Sequence, residues 1–244
     1  MDERFEISPY DGVLLVDKPA GPTSHDVVDA VRAILGIKRI GHCGTLDPNA
    51  TGLLVIVIGK ATKLSDRFTS TDKVYEGAMI FGAETDSYDA DGKIVATREV
   101  PQLTLDKLNE LAKKFTGDIL QKPPMVSAVK KDGVPLYKLA RKGVDIEREA
   151  RPVHIYDFSF EDYIEPMAWF CVACSKGTYV RSLVHDFGKE LGCGAYLKHL
   201  RRTVSGKFNV KDAIEMEEMI RMDAEMLKSK IISLHEIAKI LYAK

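Results

Sequence analysis

Residues 41–58 read GHCGTLDPNATGLLVIVI, a glycine-rich loop that runs directly into six consecutive apolar residues. A run of this length, from Leu53 to Ile58, is typical of a strand buried in a core. Pro48 disfavours the helical region for the residue before it, so we expect Asp47 to be extended. Glycines on both sides allow tight turns or a close approach of the backbone to a ligand. The pattern predicts a carboxylate held in place beside a core strand, although an Asp-Pro turn without any function has the same sequence.

The rest of the chain predicts strands and helices that mix without strict alternation. A strand is expected at Val13–Val16, followed by a helix that Thr23 or Ser24 caps and Gly36 ends. The further predictions are a short helix at 61–68, strands at 74–81 and from 94, a helix from 105 that Thr104 caps and Gly117 stops, strands at 153–160 and 168–175, a helix at 178–191, and helices after 211. This order favours an α+β fold with a mixed, mostly antiparallel central sheet flanked by helices.

Length and composition bound the class of protein. The chain has 244 residues, of which 45% are hydrophobic, enough for a core without disulfides or metals. The longest apolar run is far too short to span a membrane, and the N-terminus lacks the apolar segment of a signal peptide. We therefore expect a cytoplasmic protein that does not bind membranes.

Charge is segregated along the chain although the net charge is only −1. Residues 122–142 hold six lysines and arginines and a single acid, and residues 176–207 hold seven against two acids. Such segregation can give one basic face, suited to nucleic acid, on a neutral protein. Composition alone fits a set of solvated helix faces equally well.

Two patterns that suggest metal sites are better explained in other ways. Cys171 and Cys174 lie three apart in an expected strand, where they point to opposite faces and cannot easily share a metal ion. Asp89-Ala90-Asp91-Gly92 resembles part of a calcium loop, but the position that needs glutamate is Arg98. The six histidines show no paired spacing suited to a metal either. We predict no metal site.

A second cluster, SKGTYVRSL at residues 175–183, joins a strand to a helix through a glycine turn. Arg181, near the start of that helix, could pair with a carboxylate arriving from another loop and lower its pKa. Tyr179 offers a flat face on which a base could stack. A tyrosine and an arginine at the start of a helix can equally well be structural.

Taken together, these clusters resemble the TruB family of bacterial tRNA pseudouridine synthases, and the resemblance extends along nearly the whole chain. The matching stretches are LVDKP (15–19), GPTS (21–24), GHCGTLDP (41–48), ATG (50–52), KVY (73–75), TD (85–86), DADG (89–92), PP (123–124), SAVK (127–130), GTYVRS (177–182), LGCGA (191–195) and LRR (200–202). So many blocks in one order are highly specific, and they imply the pseudouridine synthase fold.

The resemblance implies a role for each matching residue of the catalytic centre. Asp47 takes the place of the catalytic aspartate of the family. Tyr75 matches the tyrosine that packs on the target base, and Tyr179 and Leu200 match residues that line the uridine pocket. Arg181 matches the arginine that pairs with the catalytic carboxylate.

The resemblance also implies residues that contact the RNA or support the site. His42 matches the histidine that enters the T-loop where the flipped base has left. Lys18 with Pro19 matches a motif that supports the active site, so we expect Lys18 to contribute to substrate binding less directly. The basic insertion, at about 122–152, corresponds to one that folds over the T-stem-loop. The expected contacts with RNA phosphates are Lys130, Lys131, Arg141, Arg201 and Arg202.

The expected function is isomerisation of the T-loop uridine at position 55 of tRNA to pseudouridine. No cofactor is expected, since the atoms balance without one. We expect one catalytic domain over residues 1–244, acting as a monomer without an obligate protein partner. The residues after Arg202 are too few for the PUA domain common in this family, so this domain is either naturally lacking or removed by truncation. The main rival is a non-catalytic RNA-binding or RNA-folding protein on the same scaffold.

Overall fold

The computed structural model describes residues 8–125, 127, 130–131, 134–135 and 146–242. The elements of the first half are β1 (Gly12–Lys18), α1 (Ser24–Leu35), β2 (Ile40–Cys43), β3 (Thr51–Ile58), a 3₁₀ helix (Gly59–Leu64), α2 (Ser65–Thr69), β4 (Lys73–Phe81), β5 (Ala83–Thr85), β6 (Ile94–Thr97), α3 (Leu105–Ala112), a 3₁₀ helix (Lys113–Phe115) and β7 (Gly117–Gln121). Those of the second half are β8 (Lys130–Lys131), β9 (Val134–Pro135), β10 (Arg151–Ile164), β11 (Met167–Cys174), α4 (Val180–Leu191), β12 (Ala195–Ser205), β13 (Phe208–Asn209), a 3₁₀ helix (Val210–Asp212), β14 (Ile214–Glu215), α5 (Met216–Met219), α6 (Ala224–Lys228), β15 (Ile232–Ser233) and α7 (Leu234–Tyr242).

The chain divides into two compact units. The N-terminal unit contains the described residues up to Val74 together with those from Arg201 onward, and the middle unit contains residues 75–200. In the N-terminal unit β1 pairs antiparallel with β3 over its whole length, from Gly12 opposite Ile58 to Lys18 opposite Gly52. Antiparallel β2 also pairs with β3, and β14 lies parallel to β1.

Helix α1 begins and ends as the sequence predicts. Thr23 caps its N-terminus in a reciprocal box with Asp26, and Gly36 ends it in the left-handed conformation. Its buried valines, Val27, Val28 and Val31, recur at helical spacing. The same unit buries the apolar residues of β3, which are at most 1% exposed.

The middle unit is built around the antiparallel pairs β10–β11 and β7–β10. Strand β4 lies between β11 and β12. In its core Phe158 and Phe160 each pack with Phe170 and with Phe187 of α4, with ring centroids 5.0–6.3 Å apart. The predicted α+β class with a mostly antiparallel sheet is confirmed.

Nine of the strands in the described residues were not predicted, and the longest of them are β2, β7 and β12. The predicted loop from Gly41 begins with β2, so that the loop proper covers residues 44–50. Strand β7 was not predicted either. Strand β12 was not predicted because it carries basic residues such as Lys198, Arg201 and Arg202. In β11 half-buried and buried positions alternate, and Cys171 and Cys174 lie on opposite faces, as predicted.

Candidate functional site

The loop of residues 44–50, here called the Asp47 loop, is held closely by its neighbours in the N-terminal unit. The Ala50 amide donates to the Asp47 carbonyl at 3.0 Å, which closes a turn around Pro48. The Pro48 carbonyl accepts from the Gly21 amide at 2.9 Å. The half-buried Asp47 side chain is thus carried on backbone whose hydrogen bonds are made to fixed elements.

Lys18 anchors the Asp47 loop through its side-chain ammonium group. Its side chain is 0% exposed, and its ammonium group donates to the carbonyls of Pro19, Pro22 and Pro48, each at 2.8 Å. Burial lowers the pKa of Lys18 from its ordinary value of 10.5 to about 8, while the carboxylates of Asp47 and Asp26 oppose the shift. Three carbonyls occupy the three N–H donors, an arrangement suited to a residue that supports the site, and a contribution of Lys18 to substrate binding stays a prediction.

Ser24 is a second anchor, and the sequence did not reveal it. Thr23, not Ser24, caps α1, which leaves the Ser24 hydroxyl available to the loop. This hydroxyl accepts from the Leu46 amide at 2.9 Å and donates to the Leu46 carbonyl at 3.1 Å. Ser24 and Leu46 are both buried. A serine that satisfies both backbone groups of the residue before Asp47 restricts how that residue can move.

Arg202 is the third anchor, and its predicted contact with RNA phosphate is wrong. The side chain is 1% exposed, with Nε donating to the Leu53 carbonyl at 2.8 Å and Nη2 to the Gly44 carbonyl at 2.9 Å. A Cβ atom added at Gly52, where φ is +98°, would lie 2.3 Å from the Arg202 carbonyl oxygen. Glycine at 52 is therefore required by close packing of two strands as well as by its backbone conformation.

His42 lies on β2, directly before the Asp47 loop. Burial lowers its pKa, and the positive charges of Arg202 and His25 lower it further. Its buried Nδ1 atom has no hydrogen-bond partner among the described residues. The imidazole is therefore neutral near neutral pH and keeps one polar atom unused, consistent with a group that acts on a ligand.

In the middle unit Gln121 fixes the start of α4. Its amide oxygen accepts from the Tyr179 amide at 2.7 Å, and its amide nitrogen donates to the Tyr179 carbonyl at 3.1 Å. The Ser182 hydroxyl donates to the Lys122 carbonyl at 2.9 Å. Gln121 and Ser182 are both 2% exposed. The end of β7 thus sets the orientation of the helix start that carries Tyr179 and Arg181.

Arg181 is 4% exposed and is engaged within its own unit. Its Nη1 lies 3.3 Å from Oδ2 of Asp89 and donates to the Ser87 carbonyl at 3.3 Å. The other carboxylate oxygen of Asp89 accepts from the Ser87 hydroxyl and from the Asp91 amide. The aspartate-rich turn at residues 89–92, which does not fit a calcium loop, therefore binds Arg181 through Asp89. Within the described ranges no group of three or more metal-binding side chains is arranged to hold a metal ion.

Tyr75 and Leu200 complete the set of pocket residues predicted from the sequence. Both are half-buried and pack against the core cluster of the middle unit that contains Phe158 and Phe187. Tyr75 lies on β4 and Leu200 on β12. The structure brings Lys18, His42 and Asp47 into the N-terminal unit. Tyr75, Tyr179, Arg181 and Leu200 belong to the middle unit.

The predicted RNA contacts fare differently from one another. Arg201 is partly exposed and forms a bidentate pair with Asp17, which leaves the guanidinium at the surface. Lys130 lies on β8 next to Lys131, and their side chains, like the whole of Arg141, lie outside the described residues. No helix in the described part of the chain is long and apolar enough to cross a membrane.

Comparison with known families gives matches over most of the chain. The model of the TruB family pseudouridylate synthase N-terminal domain matches residues 32–180, more than half of the chain. The model of the tRNA pseudouridylate synthase B C-terminal domain matches residues 181–237. The two matches together include every predicted site residue except Lys18.

Individual relatives agree with these matches. The tRNA pseudouridine synthase B of Opitutus terrae is 48% identical over 228 residues, which cover 93% of this chain and 95% of the relative. The enzyme of the same name from Chlamydia pneumoniae is 47% identical over 217 residues, which cover 88% of this chain and 90% of the relative.

Solved structures with the same fold include ribonucleoprotein components. A chain of a Cbf5-Nop10-Gar1 complex matches with a TM-score of 0.74 and 28% identity over 95% of this chain, which spans only 63% of that longer chain. A chain of an H/ACA RNP bound to a substrate RNA containing 2′-deoxyuridine matches with a TM-score of 0.70 and 25% identity, covering 98% of this chain and 69% of that one.

Proposed function

Since the chain belongs to the TruB family of tRNA pseudouridine synthases, which are isomerases, we propose that it converts the uridine at position 55 of tRNA to pseudouridine with Asp47 as the reacting carboxylate. The observation that carries the assignment of Asp47 is the anchoring of its loop. Buried Lys18, Ser24 and Arg202 all bond to the backbone of this loop. A surface loop with three buried polar anchors holds its side chain in one place, as a reacting group requires.

The reaction needs a carboxylate and no added group. The bond between N1 and C1′ breaks, the base turns, and a bond forms between C5 and C1′. C5 then loses its proton and N1 gains one, so atoms and electrons balance. Asp47 assists either by covalent attack at C1′ or at C6, or by removing a proton from C2′ to give a glycal. An ionised carboxylate serves each of these routes.

The target base must leave its stack before the carboxylate can reach it, at a cost of a few kcal/mol. Stacking on an aromatic ring offsets about 1–3 kcal/mol of this cost per base. Tyr75 supplies that ring, and Tyr179 with Leu200 lines the pocket, as the resemblance implies. Gln121 supports this role, because it fixes both backbone groups of Tyr179.

Arg181 keeps the reacting carboxylate ionised, which the resemblance to the family implies. The second carboxylate, Asp89, orients the guanidinium, since one of its oxygens faces Nη1 and the other is fixed by Ser87 and Asp91. A guanidinium that is already aligned does not have to reorganise when charge develops in the reaction. Asp89 therefore acts as a positioning residue for Arg181.

The RNA is recognised mainly through its shape and through phosphate contacts, which makes binding dependent on salt. By resemblance to the family, the insertion at about 122–152 contacts the T-stem-loop, with Lys130, Lys131, Arg141 and Arg201 as the expected phosphate contacts. One of the structures that match this chain holds a substrate RNA, which supports an RNA-binding role. The protein acts in the cytoplasm as a monomer.

Release of tritium from tRNA transcripts labelled at C5 of uridine tests this function directly. We expect one tritium per tRNA to be released from a transcript with U55, because C5 loses its proton when the new bond forms. A matched transcript with cytidine at position 55 should release none while binding with equal affinity.

Binding of both transcripts without release from either would contradict the proposal and would favour the RNA-folding protein. Release that persists in the U55C transcript would assign the enzyme to another uridine.

Lys18 makes the activity sensitive to alkaline pH. The single-turnover rate is expected to fall as pH rises through about 8, because a neutral Lys18 amine keeps only two N–H donors for three carbonyls. The free energy of unfolding should not fall over the same pH range. Below pH 8 Lys18 is protonated in the folded and the unfolded chain, whereas between about 8 and 10.5 only the unfolded chain holds the proton. Its contribution to the free energy of unfolding therefore rises with pH in that window.

Two variants separate Lys18 from other groups that titrate in this range. Lys18→Met should show a lower rate without the fall near pH 8. Lys73→Met is the matched control, since Lys73 is also buried and donates to two backbone carbonyls, those of Thr69 and Thr71. The rate of Lys73→Met should decrease near pH 8, as the rate of the wild type does. An unchanged alkaline fall in Lys18→Met would show that another group causes it.

A further inference from the structure

Residues 87–89, the segment that holds Arg181, contain an unusual backbone conformation. Tyr88 has a φ of +67°, and among the described residues it is the only one other than glycine with a positive φ. L side chains rarely adopt this region, and a bulky residue does so only where its surroundings require it. Strained residues of this kind cluster at functional sites, so the contacts that hold Tyr88 in this conformation bear on function.

The backbone on both sides of Tyr88 is fixed. The Leu197 amide of β12 donates to the Tyr88 carbonyl at 2.9 Å, and Asp89 forms a bridge with Leu197. The Thr85 hydroxyl donates to the Asp89 carbonyl at 2.7 Å. These bonds set the path of the chain but leave the direction of the tyrosine ring to its own contacts.

That ring lies flat on His185. The two rings have centroids 3.9 Å apart and an interplanar angle of 16°. His185 is half-buried, its Nδ1 has no hydrogen-bond partner among the described residues, and the nearest carboxylate oxygen, on Glu84, is 4.0 Å away. Burial lowers the pKa of His185, which keeps the ring neutral. The stack on Tyr88 is thus a close contact of this imidazole.

Arg181 and His185 lie four residues apart on α4, which places them on one face of the helix. From that face Arg181 contacts the Ser87 carbonyl and the Asp89 carboxylate, and His185 contacts the ring of the residue between them. Arg181 and His185, one helical turn apart, thus contact all three residues of the 87–89 segment.

We propose that the Tyr88–His185 stack is a positioning device for the reaction, which locks the 87–89 segment so that Asp89 holds the Arg181 guanidinium in its catalytic orientation. The proposal rests on the proposed function and adds two residues to it, neither of which touches the substrate. Loss of the stack removes the side-chain contact that holds this strained residue between the two groups that bind Arg181, and leaves only its backbone bonds to keep the segment in place. The guanidinium then moves away from its aligned position, and displacement of a catalytic group by about 1 Å can slow a reaction 10²-fold.

Pairs of variants test the stack against a purely structural role. Tyr88→Asn removes the ring yet tolerates a positive φ, and His185→Leu removes the partner ring. Tyr88→Phe and His185→Phe keep a ring that can stack. We expect the first pair to slow single-turnover tritium release about ten- to a hundredfold at saturating tRNA with unchanged tRNA affinity, and the second pair to stay within about threefold of wild type.

The amplitude and the rate constant of the single turnover separate the outcomes. A structural role alone would lower the amplitude, through a smaller folded fraction, and leave the rate constant of the remaining enzyme at the wild-type value. That result in Tyr88→Asn, or a rate constant lowered equally in Tyr88→Phe, would overturn the proposal. If His185→Leu does not fold, Tyr88→Asn and the two phenylalanine variants decide it. Absence of tritium release from the wild type would instead reject the proposed function.

Discussion

Asp47→Asn is expected to abolish pseudouridine formation while tRNA binding and folding persist. The amide has nearly the shape of the carboxylate, so the anchors of the Asp47 loop, which bond to its backbone, should remain in place. An amide is neither a nucleophile nor a base, and no other group takes over its role. We expect the single-turnover rate to drop at least about 10³-fold, as when other enzymes lose a reacting side chain. Tritium release and filter binding on the same transcript measure the two effects.

Asp26→Asn is the matched control for this variant. Both carboxylates raise the pKa of Lys18, so either substitution removes one negative charge that acts on the buried ammonium. Asparagine also remains an acceptable partner in the box with Thr23. The control should retain activity within about threefold, because surface substitutions of this kind have small effects. Equal loss of activity in both variants would mean that Asp47 acts through Lys18 and does not react itself.

The fold was predictable where local chemistry and burial agree. Thr23, Asp26 and Gly36 mark the ends of α1 in the sequence, and the structure places both caps there. Strand β12 escaped prediction because its charged residues obscure the alternation of buried and exposed positions. Arg202 shows the physical reason. A buried arginine bonded to two carbonyls belongs to a core, but in the sequence it adds to an apparent basic patch.

The sequence predicts the candidate site as a set of residues but does not reveal the residues that support them. Asp47, Tyr179 and Arg181 stand in recognisable motifs, whereas Gln121 and Ser24 act through hydrogen bonds to backbone that is distant in sequence. Such bonds depend on tertiary structure and leave no spacing pattern. The turn that begins at Asp89 was noticed for its acids, and only the structure shows that one of them faces an arginine.

Arg181→Lys is expected to slow the reaction on the order of 10²-fold, the cost of losing a single aligned donor in other active sites. Lysine keeps the positive charge, so the half-buried Asp89 carboxylate keeps a cationic partner. The planar fork is lost, however, and an ammonium cannot reproduce its several directed donors. Stability should therefore change less than the rate, and thermal unfolding with single-turnover kinetics separates the two.

Arg32→Lys is the matched control, because Arg32 also bonds one carboxylate, that of Asp29, and one carbonyl, that of Ile40. Arg32 lies on α1 and has no predicted role in the reaction, so the rate of Arg32→Lys should stay at the wild-type level.

Asp89→Asn should slow the reaction as well, and the double variant Arg181→Lys with Asp89→Asn should be little slower than the slower of the two single variants. Such non-additivity is expected when two residues work as one unit, since once the guanidinium is lost there is nothing left for Asp89 to orient. Fully additive losses would mean that Asp89 acts on the reaction independently of Arg181.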